Sequence, residues 1–351
     1  MVLGIRTYWI HRVVFVLILW IMTVVFVLYH YQRQSTQQAV AYALTEKNEA
    51  QHSPFIRVQQ LQLLVESTEK VTLEAFMKKQ SEVQLQRHKT LRETCAKHPH
   101  LNTGGMSSKL TNRQLIVLNK YKLLYCHIPK VGCTSWKKTL MVMDGYRNRT
   151  EDIQLYMTHK WASGKVLGGY NPTEQKRRLE SYTKFLFTRH PIERVLSAYF
   201  NKFVDMDIYR GYKPYQQIAK YIMKKFRKDA TPVQLKTGEN ITWSEWTSYL
   251  TESHKNRLDG HWREFFELCS PCKINYDYIG KLDTVTDDAK YILAKFGVPK
   301  HVSYPRTISY GTNSSQKFEH YMSQLSQEKI KKLWEVFQLD FELFGYPKPQ
   351  F

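Results

Sequence analysis

Hydrophobic positions along this chain fall into three regimes, and each predicts a different kind of structure. Val13 to Gln32 carries no Lys, Arg, Asp or Glu and is apolar almost throughout until His30. At about 1.5 Å of rise per residue, such a helix crosses a hydrocarbon core of roughly 30 Å. From Tyr31 to about Lys97 the composition shifts to Gln, Glu, Lys and scattered aliphatics. There Val58, Leu61, Leu64, Val65 and Val71 give a loose helical period. That pattern predicts a partly helical stem; the alternative is a dimerising segment, giving a homodimer through the stem. His98-Pro99 and Asn102-Thr103-Gly104-Gly105 punctuate its end.

From about Leu115 the chain becomes globular and rich in Tyr, Trp and Phe. Lys122 to Cys126 is a short apolar run that predicts a strand, followed by a turn and a helix through about Met143. Lys184 to Thr188 repeats the pattern. Its helix sets Ile192, Val195, Leu196, Tyr199, Phe200 and Phe203 along one stripe. Thr242-Trp243-Ser244-Glu245 reads as a capping-box start, and Tyr276 to Lys281 as a third strand. Thr286 is placed to cap a helix that Gly297 ends. Ile330, Leu333, Trp334 and Phe337 mark a final amphipathic helix. Strands alternating with helices predict an α/β domain with a central, mainly parallel sheet. The chain divides into a cytoplasmic tail (1–12), a transmembrane signal anchor (13–32), a lumenal stem (33–114) and a globular domain (115–351).

Charge and cysteine content narrow the partners. Lys and Arg number 52 against 31 Asp and Glu, a net +21, which favours nucleic acid, anionic lipid or an acidic polysaccharide. Arg6 and Arg12 precede the apolar segment and only Arg33 follows it closely, so the short N-terminus is expected to be cytoplasmic. A cleaved signal peptide is the alternative, but no small-residue cleavage site follows the run. Everything beyond Gln32 then lies in the lumen or outside the cell, which removes cytosolic nucleic acid. Five cysteines suit an oxidising compartment, with one left over. Sequons at Asn148, Asn240 and Asn313 are consistent with lumenal glycosylation.

The chemistry concentrates in the two turns. Tyr125 to Trp136 reads as a strand end, a tight turn with Lys130 and Gly132, then hydroxyls opening a helix. Backbone N–H groups and a helix N-terminus would converge there, which suits phosphate or sulfate. Phe185 to Phe203 repeats the strand-turn-helix with Arg189 in its turn, so a ligand with two separated anionic groups is implied. A nucleoside-triphosphate loop would place its Lys after the last Gly. Here Lys130 comes before Gly132, and no strand-borne Asp stands ready for magnesium.

Pro129-Lys130-Val131-Gly132-Cys133-Thr134-Ser135-Trp136-Lys137 resembles the 5′-phosphosulfate loop of Golgi carbohydrate sulfotransferases. Arg189-His190-Pro191-Ile192-Glu193-Arg194-Val195-Leu196-Ser197-Ala198-Tyr199 resembles their 3′-phosphate motif. Glu267-Leu268-Cys269-Ser270-Pro271-Cys272, Tyr278-Ile279-Gly280 and Phe344-Gly345-Tyr346 are similar to one branch. That branch holds the chondroitin, dermatan and N-acetylgalactosamine 4-O-sulfotransferases and the glucuronyl 3-O-sulfotransferase of the natural-killer carbohydrate epitope. The likeness covers roughly Leu115 to Phe351 and implies a P-loop-like sulfotransferase domain. It implies 3′-phosphoadenosine 5′-phosphosulfate (PAPS) as donor and no metal. Residues 129–135 would cradle the phosphosulfate, with Lys130 stabilising the leaving phosphate oxygen. Residues 189–197 would hold the 3′-phosphate, chiefly through Arg189 and Ser197. Arg194 could equally be a solvated charge on the helix surface. Relatives commonly carry an acidic residue where this chain has His190, which bears on donor affinity.

Sulfuryl transfer to a sugar hydroxyl also needs a base, and His is the usual choice near neutral pH. His159, between the two motifs, stands where related uronyl 2-O-sulfotransferases place theirs; His261, in Gly260-His261-Trp262, is second. His127 beside the phosphosulfate loop reads as packing. At least one disulfide is expected among Cys95, Cys269 and Cys272, with Cys126 and Cys133 free and packed. Lys220, Lys224, Lys225, Arg227 and Lys228 form either a solvated face or a track for an acidic glycan. The reading is a single-pass type II Golgi membrane enzyme with a lumenal catalytic domain. Its expected acceptor is position 4 of N-acetylgalactosamine in chondroitin or dermatan. The alternatives are the glucuronyl 3-hydroxyl, or a non-catalytic, membrane-tethered glycan-binding protein.

Overall fold

Short apolar runs become the four strands of one sheet in the computed structural model, which describes residues 54–252, 259–305 and 314–350. A long helix α1 (Pro54–Lys97) and a short α2 (Lys109–Gln114) lead into β1 (Leu115–Leu118) and β2 (Leu123–Cys126). Helices α3 (Cys133–Met143), α4 (Leu155–Ser163) and α5 (Pro172–Ser181) carry the chain to β3 (Thr183–Thr188). Then come α6 (Pro191–Tyr199), α7 (Met206–Gly211), α8 (Lys213–Phe226), α9 (Pro232–Thr237), α10 (Trp243–Glu252) and α11 (Phe265–Cys269). Strand β4 (Tyr278–Lys281) is followed by α12 (Val285–Lys295), α13 (Ser314–Met322) and α14 (Gln327–Phe344).

The strands lie in the order β1-β2-β3-β4, with β2, β3 and β4 parallel and β1 antiparallel to β2. Cys126 stands opposite Leu186, and Leu186 opposite Ile279. Both faces are covered, so β1 and β2 are buried throughout and read as unbroken apolar runs rather than alternating ones. Gly280 is required by this packing: a Cβ there would overlap the Phe187 ring. Strand β1 is an addition to the three strands expected. Its antiparallel pairing with β2 sets Leu115 opposite Cys126 and Leu118 opposite Leu123.

The Thr242 capping box forms as expected. Glu245 N–H donates to Thr242 Oγ1 at 3.2 Å, and Thr242 N–H to Glu245 Oε2 at 2.7 Å. Thr286 does not cap α12, which starts after Thr284; Thr284 Oγ1 instead donates to Asp288. Gly297 ends that helix in the left-handed region at φ +63°. The expected stripe after β3 is also buried, but α6 changes at Phe200–Val204 into one π-helical turn. Such turns recur at functional sites because the extra residue re-aims its side chains.

Residues Ala75–Phe351 form one compact unit. The last part of α1 therefore belongs to the globular structure. Gln84 on this helix donates to the Ile279 carbonyl at 3.0 Å and accepts from the Ile279 N–H at 2.9 Å. Its amide thus stands in for a neighbouring strand on the edge of β4. Arg87 adds a 2.8 Å ion pair to the buried Asp288, and Cys95 is bridged to Cys272. The apolar segment at 13–32 lies outside the described residues. Among those described, no helix is long and apolar enough to cross a membrane.

Candidate active site

The first turn leaves the end of β2 and is shaped by two residues in the left-handed region, Lys130 (φ +71°) and Gly132 (φ +80°). Gly132 tolerates this without steric cost, and it also allows close approach: a Cβ there would lie 2.5 Å from the Tyr304 hydroxyl. Helix α3 begins at the next residue, with Thr134 and Ser135 half-buried in its first turn and Trp136 fully buried beneath. Alternating backbone conformations before a helix N-terminus turn successive N–H groups toward one point, an arrangement that binds anions. Burial, then the charges of Lys202, Arg189 and Arg194, push the Lys130 ammonium down to about 8. Lys137, one turn further on, is buried as well, and burial lowers it. Among the described residues neither lysine is in an ion pair, so the cations here await an anion from outside.

The second turn leaves β3, parallel to β2 and beside it. Arg189 is held by Glu193 one helical turn on, with its Nε and Nη2 both 3.3 Å from Glu193 Oε2. His190 is the N-cap of α6 and accepts from Glu193 N–H at 3.4 Å. Its ring packs edge-on against Phe318, Phe341 and Tyr346. Burial first, then Arg189, push His190 down to about 4, so it stays neutral at physiological pH. Glu193, and not the residue next to Arg189, is therefore what orients the guanidinium. Ser197 lies half-buried further along α6.

Of the two readings of Arg194, a member of the 3′-phosphate motif or a solvated helix charge, burial removes the second. It is fully buried, and its nitrogens donate to Pro129 O (2.9 Å), Arg263 O (2.8 Å) and Gly260 O (2.8 Å). Burial pushes its guanidinium down to about 10, opposed by Asp340, and it remains charged. Arg194 is thus a positioning residue: one side chain fixes the carbonyl before Lys130 and the carbonyl before His261. Sequence reasoning gave no sign of this, because the partners are backbone atoms far away in the chain.

His261 is held by Asp259, whose Oδ1 lies 2.6 Å from His261 Nδ1 and also accepts the His261 N–H at 2.8 Å. Tyr215 Oη stands 3.4 Å from the same Nδ1. Burial lowers the His261 pKa, Asp259 raises it, and the charges of Lys202 and Lys130 lower it again, with a net downward shift. His159 is exposed on α4 and is lowered by burial, then Lys137 and Lys202. His127 donates from Nδ1 to Gln114 O at 2.8 Å; burial, then Lys137, push it down to about 3. All three imidazoles therefore face the same group of cations. Asp259 and Lys202 were missed; the Asp-x-His spacing was the one available signal.

Cys126 is not free: it is bridged to Cys269, which joins the end of β2 to α11. The predicted pair among Cys95, Cys269 and Cys272 is Cys95–Cys272, and Cys133 alone is a free thiol. Within the basic run, Arg227 grips Glu245 with two 2.7 Å contacts and Lys225 pairs with Glu252 at 2.8 Å. Those two charges are therefore paired within the fold. Asn148 and Asn240 are exposed, and Asn313 lies outside the described residues. No group of His, Cys, Asp or Glu among the described residues is arranged to hold a metal.

Two strand-turn-helix segments thus stand on neighbouring parallel strands, with the His261 loop tied to the first turn through Arg194. The Sulfotransferase family matches residues 113–347, and the chain belongs to that family. Its relatives are carbohydrate sulfotransferases. Carbohydrate sulfotransferase 14 of Danio rerio is 34% identical over 272 residues, 76% of this chain and 72% of that protein. Carbohydrate sulfotransferase 8 of Mus musculus is 32% identical over 273 residues, 76% of this chain and 64% of the relative. Carbohydrate sulfotransferase 11 of Rattus norvegicus is 34% identical over 244 residues, 68% of each chain. No solved structure matches the chain.

Proposed function

We propose that this protein transfers the sulfuryl group of PAPS to position 4 of N-acetylgalactosamine in chondroitin or dermatan. The observation that carries the reading is the Arg194 strut, which holds Pro129 and Gly260 together and so sets Lys130 beside the His261 loop. In the transfer, the acceptor oxygen bonds to sulfur in line with the breaking S–O bond of the donor. The acceptor proton goes to a base, and the electron pair leaves on the 5′-phosphate oxygen. Lys130 and the α3 N-terminus neutralise that oxygen, while Arg189 and Ser197 hold the 3′-phosphate.

We assign the base to His261 ahead of His159. Asp259 accepts the Nδ1 proton of His261, which leaves Nε2 with a free lone pair. Its lowered pKa keeps that lone pair available at neutral pH. The apolar segment at 13–32 and the exposed sequons at Asn148 and Asn240 support a type II Golgi membrane protein with this domain in the lumen. The acceptor assignment rests on the likeness of the motif residues to the 4-O-sulfotransferases.

The test incubates the full chain with labelled PAPS and a panel of desulfated glycans, followed by mapping of the sulfated carbon. Sulfate on position 4 of N-acetylgalactosamine is expected. Transfer to a glucuronyl 3-hydroxyl would replace the acceptor, and absence of transfer to every glycan would sink the enzyme reading. His261→Ala is expected to lose roughly 10²- to 10⁴-fold in kcat. A normal rate in that variant, with a loss in His159→Ala, would return the base to His159.

A further inference from the structure

The π turn after α6 presents a lysine that the donor does not require. Lys202 lies on this turn with its ammonium 4.8 Å from the centre of the Tyr215 ring. Tyr215 in turn reaches His261 through its hydroxyl, and its ring packs against Tyr212 with 4.6 Å between centroids. Tyr212 is 49% exposed, so one face of its ring is open to solvent. Among the described residues Lys202 is in no ion pair within 4 Å. Its charge is nonetheless felt by the whole site, since it lowers Lys130, His159 and His261.

The two anionic ends of the donor are already matched by Lys130 and by Arg189. Lys202 lies instead against the Tyr215 ring, whose hydroxyl reaches His261 and whose face meets Tyr212. An exposed tyrosine face accepts the apolar side of a pyranose ring, and a half-buried ammonium with no carboxylate beside it accepts one from a ligand. We propose that Lys202, Tyr212 and Tyr215 form an acceptor subsite for a uronic acid, the neighbour of the sugar that receives sulfate. The proposal rests on the sulfotransferase reading above and deepens it: the acceptor is a carboxylate-bearing polymer rather than a neutral glycan.

The experiment compares desulfated chondroitin with the same polymer after reduction of its carboxyls to primary alcohols. Wild-type full-length chain is expected to prefer the carboxylated polymer about tenfold in kcat/KM, the scale of one charge-assisted contact. Lys202→Gln is expected to bring that preference to within about twofold of unity through a higher KM for the carboxylated polymer. Its affinity for adenosine 3′,5′-bisphosphate, measured by calorimetry, should stay within about twofold of the wild-type value, the scale of a screened charge that makes no direct contact, which also shows that the variant is folded. Tyr212→Ala is expected to raise KM on both polymers. Equal use of the two polymers by wild type would overturn the subsite. So would an equal loss on both in Lys202→Gln, or weakened bisphosphate binding, either of which would place the ammonium on the donor. If wild type sulfates no glycan at all, the parent reading fails and the subsite with it.

Discussion

The turns after β2 and β3 have the same local plan and hold their cations in opposite ways. After β2, Lys130 is forced into the left-handed region and half-buried with no carboxylate beside it. After β3, Arg189 is gripped by Glu193, His190 is a neutral cap, and Arg194 is spent on three carbonyls. An unpaired, desolvated ammonium interacts most strongly with charge that appears during reaction. A guanidinium already oriented by a carboxylate loses less freedom when it grips a phosphate. On the proposed reading, the first turn serves charge that develops and the second charge that is present throughout.

Lys130→Ala should break this contrast most severely, lowering kcat by roughly 10²- to 10³-fold. Arg189→Ala should instead appear mainly in the donor KM, raised about 10- to 100-fold as for a lost charged hydrogen bond. Steady-state kinetics with varied PAPS would separate the two; a pure KM effect in Lys130→Ala would erase the distinction.

The pH profile sharpens it further. Lys130 is cationic below about 8 and neutral above, so kcat/KM for donor should fall as pH rises through that value. The slope should approach about tenfold per pH unit. Lys130→Arg, whose guanidinium does not titrate in this range, should lack that limb. On the acid side, His261 binds a proton only below its already lowered pKa, so activity should persist below the ordinary histidine range. The smallest effect is expected from Glu193→Gln. Its pairing with Arg189 is partly exposed and worth about 1 kcal/mol or less, so donor KM should rise no more than roughly fivefold.

Much of this site was readable from local pattern. Pro129–Ser135 and Arg189–Ser197 are contiguous, and the apolar runs before them and stripes after them predict strand, turn and helix directly. The capping box at Thr242 was equally local, because its two hydrogen bonds close within four residues. Cys126 was misjudged because a bridge to Cys269 depends on how β2 and α11 come together, which spacing does not record. Arg227 looked like part of a basic run until Glu245, on a different helix, was found against it.

By itself, the amino-acid sequence determined the two strand-turn-helix segments, since each depends on residues adjacent in the chain, and it carried the family likeness that names the class of reaction. Tertiary structure alone decided what surrounds those turns. The hydrogen bonds of Arg194 to Pro129 and Gly260, and those of Gln84 to Ile279, join segments far apart in the chain. Short-range propensity acts over a few residues, whereas such contacts exist only after the core has closed.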